Sequence, residues 1–388
     1  MLLARVLARV LGEGQLTIID AGGRPHQLVG ARPGPAVTMR IHTWWTGIRL
    51  ALRPRLAFGE SYMDGKLSVE DGDIYDLLDL LGRNIAAIDS TPLVRWSFAL
   101  QRILRWLEQY NPVGRAQRNV AHHYDLNDQL YDFFLDRDRQ YSCAYFTTPG
   151  ESLEQAQIDK KRHIAAKLLL KSGQRVLDIG SGWGGFLKFA AERYGIEGVG
   201  ITISKEQAAF AEASKGGLPI ETRLMDYMAL EGQFDRVISI GMFEHVGYKN
   251  YEAYFARVRS LLRPDGLFLL HTIGNNFTST HGDPWTEKYI FPNGQLPSIR
   301  QIATATERKF VMEDWHSFGA DYDRTLMAWW DNFNAAWPDL RDKYGDRFWR
   351  MWRFYLQVFA AMFRARNIQL WQVVLSPDGI RGGYRRFS

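Results

Sequence analysis

The chain of 388 residues holds one cysteine, Cys143. A lone thiol excludes an intramolecular disulfide framework and any zinc shell built from several cysteines, and it fits a reducing, cytosolic compartment. Long apolar runs are missing too. No stretch approaches the ~18 uncharged apolar residues of a spanning helix, and the opening MLLARVLARVL is broken by Arg5 and Arg9, unlike a secretory signal. Neither export nor membrane spanning is expected. His122 and His123 are adjacent rather than spaced i, i+4, so no metal site is expected. Internal repeats and low-complexity tracts are absent, which removes solenoid and array architectures. With 46% hydrophobic and 23% charged residues the composition is that of a globular protein, against disorder or a pure coiled coil.

Aromatic residues, by contrast, are abundant. Thirteen Trp, 22 Phe and 17 Tyr exceed the needs of a core, so some are expected to line a large apolar cavity or to face lipid. The net charge of +5 is unevenly placed: Arg5, Arg9, Arg24, Arg32, Arg40, Arg49, Arg53 and Arg55 stand against only Glu13 and Asp20 in the first 57 residues. Nucleic acid, an anionic membrane surface and a merely solvated face all suit such a segment. The spacing of Leu2, Leu3, Val6, Leu7, Val10 and Leu11, opposite Arg5 and Arg9, favours a short basic amphipathic helix on an acidic bilayer.

At ~150 residues per domain, two domains are expected. Residues 1–115 read as a small mixed domain, with short strands near Leu16–Ile19, Ala36–Ile41 and Leu67–Val69 and an amphipathic helix over Ile74–Leu81. An aromatic helix follows, carrying Trp96, Phe98, Leu100, Ile103, Leu104, Trp106 and Leu107 among Arg95, Arg102 and Arg105, and Asn111-Pro112-Val113-Gly114 closes it. Residues 116–388 form the second domain. Gln174–Ile179, Gly198–Ser204, Pro219–Leu224, Phe234–Ile240 and Leu267–Thr272 are short buried strands alternating with helices such as Gly185–Tyr194 and Lys205–Ala213. That alternation predicts an α/β fold with a doubly wound parallel sheet. Phe310–Phe318 and Gln369–Leu375 are expected to pair as a closing antiparallel hairpin at the sheet edge, with helices Arg324–Trp337 and Asp346–Arg366 inserted between them.

Val176-Leu177-Asp178-Ile179-Gly180-Ser181-Gly182-Trp183-Gly184-Gly185 is a hydrophobic strand opening into a glycine loop ahead of a helix, a nucleotide-binding arrangement. Gly180, Gly182 and Gly185 satisfy the dinucleotide fingerprint literally. An NAD site, however, wants an acid about 20 residues on, and the tip of the second strand is Ile201-Thr202-Ile203-Ser204. Asp178, just before the glycines, suits the cationic methionyl end of S-adenosylmethionine. The residues thus favour that cofactor over NAD, a purely structural glycine turn being the third reading.

The chain resembles the cyclopropane-fatty-acid synthases and the related mycolic acid methyltransferases. The resemblance covers about residues 115–385, more loosely the first 115. It rests on His123-Tyr124-Asp125-Leu126, Tyr141-Ser142-Cys143, the glycine loop, Gly200-Ile201-Thr202-Ile203-Ser204-Lys205-Glu206-Gln207, Gly241-Met242-Phe243-Glu244-His245-Val246-Gly247, Ala320-Asp321-Tyr322 and Phe363-Arg364-Ala365-Arg366 together. It implies a Rossmann-like class I methyltransferase with a mostly parallel seven-stranded sheet and helical insertions, acting on cis double bonds in the acyl chains of membrane phospholipids. It further implies S-adenosylmethionine held by Tyr141, Ser142, Asp178, Gly180, Gly182, Thr202 and Gln207, with Asp226 and Tyr227 near the adenine. Plain helix capping is the alternative for Thr202 and Gln207.

An isolated alkene attacks a sulfonium methyl poorly, so both must be aligned in a dry pocket and a carbocation stabilised. A base must then remove a proton for ring closure. In the family this base is thought to be bicarbonate, and the matching holders here are Cys143, Glu244, His271, Tyr322 and the Ile273 main chain. Each has a simpler alternative: a buried thiol, a surface salt bridge, a satisfied core histidine, a helix start. His245 is expected to be structural. Some relatives carry a second cysteine before the Phe-Arg-x-Arg segment, where this chain has Gln357-Val358-Phe359-Ala360-Ala361, so no thiol at that place can be required here. The aromatic helices after residue 320 suit an acyl-chain tunnel, ordinary packing accounting for most of their rings. The expected partner is an unsaturated phospholipid in an anionic bilayer, met peripherally at the inner face of the membrane, with no nucleic acid; a homodimer is compatible with this. Methyl transfer without ring closure and a catalytically dead lipid-binding protein are the rival readings.

Overall fold

Buried parallel strands are apolar on both faces, and the runs that carry this signature fold as strands in the computed structural model, which describes residues 1–90 and 129–386. The expected aromatic helix at 95–107, the turn at 111–114 and the segment at 122–126 lie outside the described residues. Eleven strands occur among them: β1 Glu13–Ile19, β2 Pro25–Val29, β3 Arg32–Ile41, β4 Leu67–Asp71, β5 Arg175–Ile179, β6 Glu197–Thr202, β7 Ile220–Leu224, β8 Phe234–Ile240, β9 Leu262–Asn275, β10 Val311–Ser317 and β11 Ile368–Ser376. They make two sheets, in the orders β2-β1-β3-β4 and β10-β11-β9-β8-β5-β6-β7. In the larger sheet β9, β8, β5, β6 and β7 pair in parallel, while β11 runs antiparallel to both β9 and β10. The closing hairpin and the α/β sheet are therefore as the strand pattern predicts, and the seven mostly parallel strands are as the resemblance implies.

The chain divides into two compact units. The second comprises Ala116–Gly282, Phe291–Ala328 and Ile368–Ser388, with the larger sheet at its centre. On one face of that sheet Ile164, Leu168, Phe186, Leu187 and Ala190 pack on Val176 and Ile238. On the other, Phe243, Tyr254, Phe255 and Ile302 pack on Val237 and Phe268.

The first unit joins Met1–Arg115 to Asp283–Ile290 and Trp329–Asn367. Helix Ile74–Arg83 starts at a reciprocal Asp73/Asp76 capping box and buries Ile74, Leu77, Leu78 and Leu80. Helix Trp337–Arg364 is broken at Gly345, whose φ of 74° lies outside the helical region. Its rings fill a core: Trp352 is fully buried and stacks on Phe348 at 5.6 Å, while Phe354 meets Phe58 and Trp285 at 5.8 and 4.6 Å. The surplus of aromatics is thus taken up largely by packing.

One expectation is corrected. The N-terminal helix ends at Leu7, and its Leu3, Ala4 and Leu7, with Leu11 beyond, are buried in the first unit. An apolar stripe already covered by protein cannot enter a bilayer, although Arg5 and Arg9 remain exposed. No helix among the described residues is long and apolar enough to cross a membrane.

Candidate active site

In a parallel sheet, ligands gather at the carboxyl ends of the strands, and the proposed site residues of the second unit do so here. β5 ends in Asp178 and the glycine loop. Gly180 and Gly182 have φ of 82° and 55°, which L side chains rarely adopt. A Cβ on Gly180 would lie 2.8 Å from the Met242 side chain, whereas one on Gly182 would meet open space. The loop is therefore a cradle closed on one side and free on the other, ahead of helix Gly185–Tyr194. Asp178 is buried, and burial pushes its carboxyl up to about 7 against the pull of Lys160.

β6 ends at Thr202, whose hydroxyl donates to Gln207 Oε1 at 2.8 Å. The helix cap is Ser204, which accepts the Gln207 N–H. The Thr202 hydroxyl also accepts the Ser204 N–H at 3.2 Å, so it belongs to the start of the helix, while the Gln207 side-chain amide nitrogen keeps its N–H groups without a partner among the described residues. After β7, Asp226 is exposed and caps a short turn by accepting the Met228 N–H at 2.8 Å. Tyr227 is half-buried, edge-on to Tyr254 at 5.3 Å.

Tyr141-Ser142-Cys143 is pinned from several sides. Tyr131 packs both on Tyr141 (5.5 Å) and on the loop's Trp183 (4.8 Å), tying the segment to the glycine loop. Gln157 Nε2 donates to the carbonyls of Gln140 and Ser142. Lys160 Nζ donates to Ser142 Oγ at 2.7 Å. The Thr325 hydroxyl accepts the Ala144 N–H at 3.0 Å. Cys143 is fully buried, and burial, then the charge of Asp321, holds its thiol well above the ordinary value. It is thus a neutral S–H donor rather than a nucleophile.

Glu244 lies in the turn after β8. Its Oε1 accepts the Ile273 N–H at 2.7 Å, while Oε2, equally buried, has no partner among the described residues. Burial pushes the carboxyl up to about 7, the Ile273 N–H and other hydrogen bonds only partly opposing it. The Ile273 N–H is thereby committed to the glutamate. His271, two residues earlier on β9, is fully buried and held neutral, first by burial and then by Lys160 and Lys167. Gln372 Nε2 lies 3.2 Å from its Nδ1. With the Gln372 amide nitrogen facing it, Nδ1 accepts and the proton sits on Nε2, which has no partner among the described residues. Buried polar atoms are normally satisfied. An orphan acceptor on Glu244 and an orphan donor on His271 therefore suit a small polar species offering both a donor and an acceptor. Tyr322 is buried in the first turn of helix Ala320–Ala335, beside Asp321 and Thr325. His245 is half-buried and neutral, pushed down to about 4 by desolvation.

Sequence reasoning missed four participants. Lys160 is fully buried under the segment and pushed down to about 7 by burial, against Asp136. Gln372 fixes the His271 tautomer, and Thr325 braces the cysteine segment. Tyr251 stacks on Phe243 at 4.3 Å with its hydroxyl unpartnered among the described residues, and burial, then Glu244, raises its pKa. The one signal for Lys160 was its place at helical spacing between Ala156 and Ile164, an inward row.

The open cradle, the acid before it and the free Gln207 amide fit S-adenosylmethionine. Residues 113–373 match the family model described as mycolic acid cyclopropane synthetase. The chain is 48% identical over 332 residues, 85% of each chain, to the cyclopropane-fatty-acyl-phospholipid synthase of Escherichia coli strain K12. It is 32% identical over 362 residues, 85% of this chain and 81% of the other, to a tuberculostearic acid methyltransferase of Mycobacterium tuberculosis. A solved mycolic acid cyclopropane synthase complexed with SAH and CTAB superposes with a TM-score of 0.63 at 31% identity, covering 69% of this chain and 99% of that one. The chain belongs to the mycolic acid cyclopropane synthetase family and is an S-adenosylmethionine-dependent methyltransferase.

Proposed function

We propose that this enzyme adds a methylene bridge from S-adenosylmethionine across the cis double bond of an unsaturated acyl chain of a membrane phospholipid, closing a cyclopropane ring with bicarbonate as the base. Residues 116–388 are proposed as the catalytic domain, working at the inner face of the membrane without spanning it. The observation that carries the reading is two buried atoms without a partner among the described residues, Glu244 Oε2 in the turn after β8 and His271 Nε2–H on the neighbouring β9.

S-adenosylmethionine supplies an electrophilic sulfonium methyl. The glycine loop, Asp178, Ser142, Thr202 and Gln207 would bind and orient it, with Asp226 and Tyr227 at the adenine. Bicarbonate would supply a basic oxygen for the proton that ring closure releases. His271 Nε2–H would donate to such an anion, the Glu244 carboxylate would accept from its hydroxyl and Tyr322 would be a further donor, while the Cys143 S–H, which donates to the Ala144 carbonyl at 3.1 Å, would have to turn from it to join them. A neutral imidazole and a neutral thiol do not compete for the released proton, and burial excludes water that would capture a cation.

The experiment is incubation with unsaturated phospholipid vesicles, S-adenosylmethionine and bicarbonate, followed by mass and proton NMR analysis of the acyl chains. A gain of one CH2 with upfield ring-methylene protons is the expected result. The same mass with vinylic methylene protons would establish methyl transfer without ring closure, and unchanged chains would remove both readings.

A further inference from the structure

Of the five large apolar side chains left exposed among the described residues of the first unit, four belong to one helix. Trp44–Leu52 is capped by Thr43, whose hydroxyl accepts the Thr46 N–H at 3.2 Å, and it buries Thr46, Gly47, Leu50 and Ala51. Trp44, Trp45, Ile48 and Leu52 are 62, 69, 43 and 51% exposed. At 3.6 residues per turn these four fall within an arc of about 100°, and Arg49 and Arg53 follow on its flank. A shallow apolar groove beside Trp44 is bordered by Met1, Ala21 and Ile41.

The surroundings of this arc are basic. Arg5, Arg9, Arg24 and Arg53 are exposed and have no ion-pair partner among the described residues. Arg5 and Arg9 lie on the N-terminal helix and just past its end, which packs on Trp44–Leu52. Arg24 closes the turn from Asp20, where a Cβ on Gly22 would lie 3.2 Å from the Trp44 ring. The nearby acids are committed elsewhere. Asp20 holds His26 and the N–H groups of Gly22 and Arg24, and Glu60 holds Arg49 and Lys288.

We propose that this face docks on an anionic phospholipid bilayer, with the helix in the plane of the headgroups and Trp44, Trp45, Ile48 and Leu52 at the acyl boundary. This rests on the proposed function and gives it a contact surface. Indole rings favour the region where headgroups meet chains, and each arginine near an acidic surface adds attraction. A second copy of the chain fits less well, because a two-fold contact here would bring the same unpaired arginines together.

The test is partition of the full chain onto vesicles of phosphatidylglycerol and phosphatidylcholine, with pure phosphatidylcholine as the neutral control. Trp44→Ala/Trp45→Ala should lower partition onto anionic vesicles about 100-fold. Its turnover of detergent-dispersed unsaturated phospholipid should stay within about twofold of the unsubstituted chain, since neither ring lies in the proposed catalytic machinery. Arg9→Gln/Arg53→Gln should lower anionic binding about tenfold and flatten its salt dependence. Both side chains of that variant are exposed, so it carries the test even if the tryptophan variant melts early. Partition unchanged in both variants would overturn the docking surface. So would unchanged partition with a dimer falling to monomers in sedimentation, which would make the face a contact between copies. Failure of the unsubstituted chain to modify dispersed phospholipid would bring down the proposed function instead, and the partition data would still decide the surface.

Discussion

Two buried glutamates, one in each unit, behave in opposite ways. Glu60 is 8% exposed and Glu244 is 7% exposed. Burial raises both, but Lys288, Tyr289 and Arg49 surround Glu60 and together hold its carboxyl below the usual value. Glu244 has hydrogen bonds and no counter-charge among the described residues, and it is pushed up to about 7. The acids Glu13, Asp20, Asp64 and Glu70 of the first unit are lowered like Glu60. Near the candidate site of the second unit, Asp136 and Asp178 are raised like Glu244. Compensated acids hold a fold together, whereas an uncompensated one leaves its charge state open to chemistry near neutral pH.

The comparison breaks most visibly at Glu244. Glu244→Gln should cut turnover about 10²- to 10⁴-fold while S-adenosylhomocysteine affinity by calorimetry stays unchanged. A loss of affinity would place Glu244 in the cofactor pocket instead. Lys160→Met removes the hydrogen bond to Ser142 and the cation facing Asp178. It should weaken S-adenosylhomocysteine binding about 10- to 100-fold, again by calorimetry.

How much of this was legible in the sequence depends on distance along the chain. The runs over β5, β6, β8 and β9 and the glycine loop announce themselves because each is local. β2 was missed because Pro25-His26-Gln27-Leu28-Val29 buries only Leu28 and lies at a sheet edge. The gathering of Trp329–Asn367 with the first unit depends on long-range packing that no local pattern encodes. Lys160 and Gln372 were invisible for another reason: a lysine or glutamine in a sequence reads as surface. Their burial follows from partners many residues away. The basic N-terminal segment was read correctly as arginine-rich, but apart from Val29 its exposed large apolar side chains are those of Trp44–Leu52 rather than of the opening helix.

Stability against pH sharpens the contrast further, because the two glutamates carry opposite signs. A lowered carboxyl contributes stability above its unfolded value, lost as pH falls through its folded value. Glu60→Gln should therefore cost about 1–3 kcal/mol at pH 7, with the difference in melting temperature shrinking as pH drops below about 4.5. A raised carboxyl does the reverse, its contribution being full below the unfolded value and lost as pH rises through about 7. Glu244→Gln should therefore melt higher than the unsubstituted chain at pH 8 and no higher near pH 4. The smallest expected effect is in the turnover profile of the unsubstituted enzyme, which should climb with an apparent pKa near 7 as Glu244 ionises.

The most direct measurement of the Glu244 charge state is the difference infrared spectrum between the unsubstituted chain and Glu244→Gln, recorded from pH 5 to pH 9. A protonated-carboxyl band present at pH 5 to 6 and replaced by carboxylate bands through about pH 7 is the predicted result. A carboxylate already fully ionised at pH 5 would contradict the account, because Glu244 would then be one more compensated acid like Glu60.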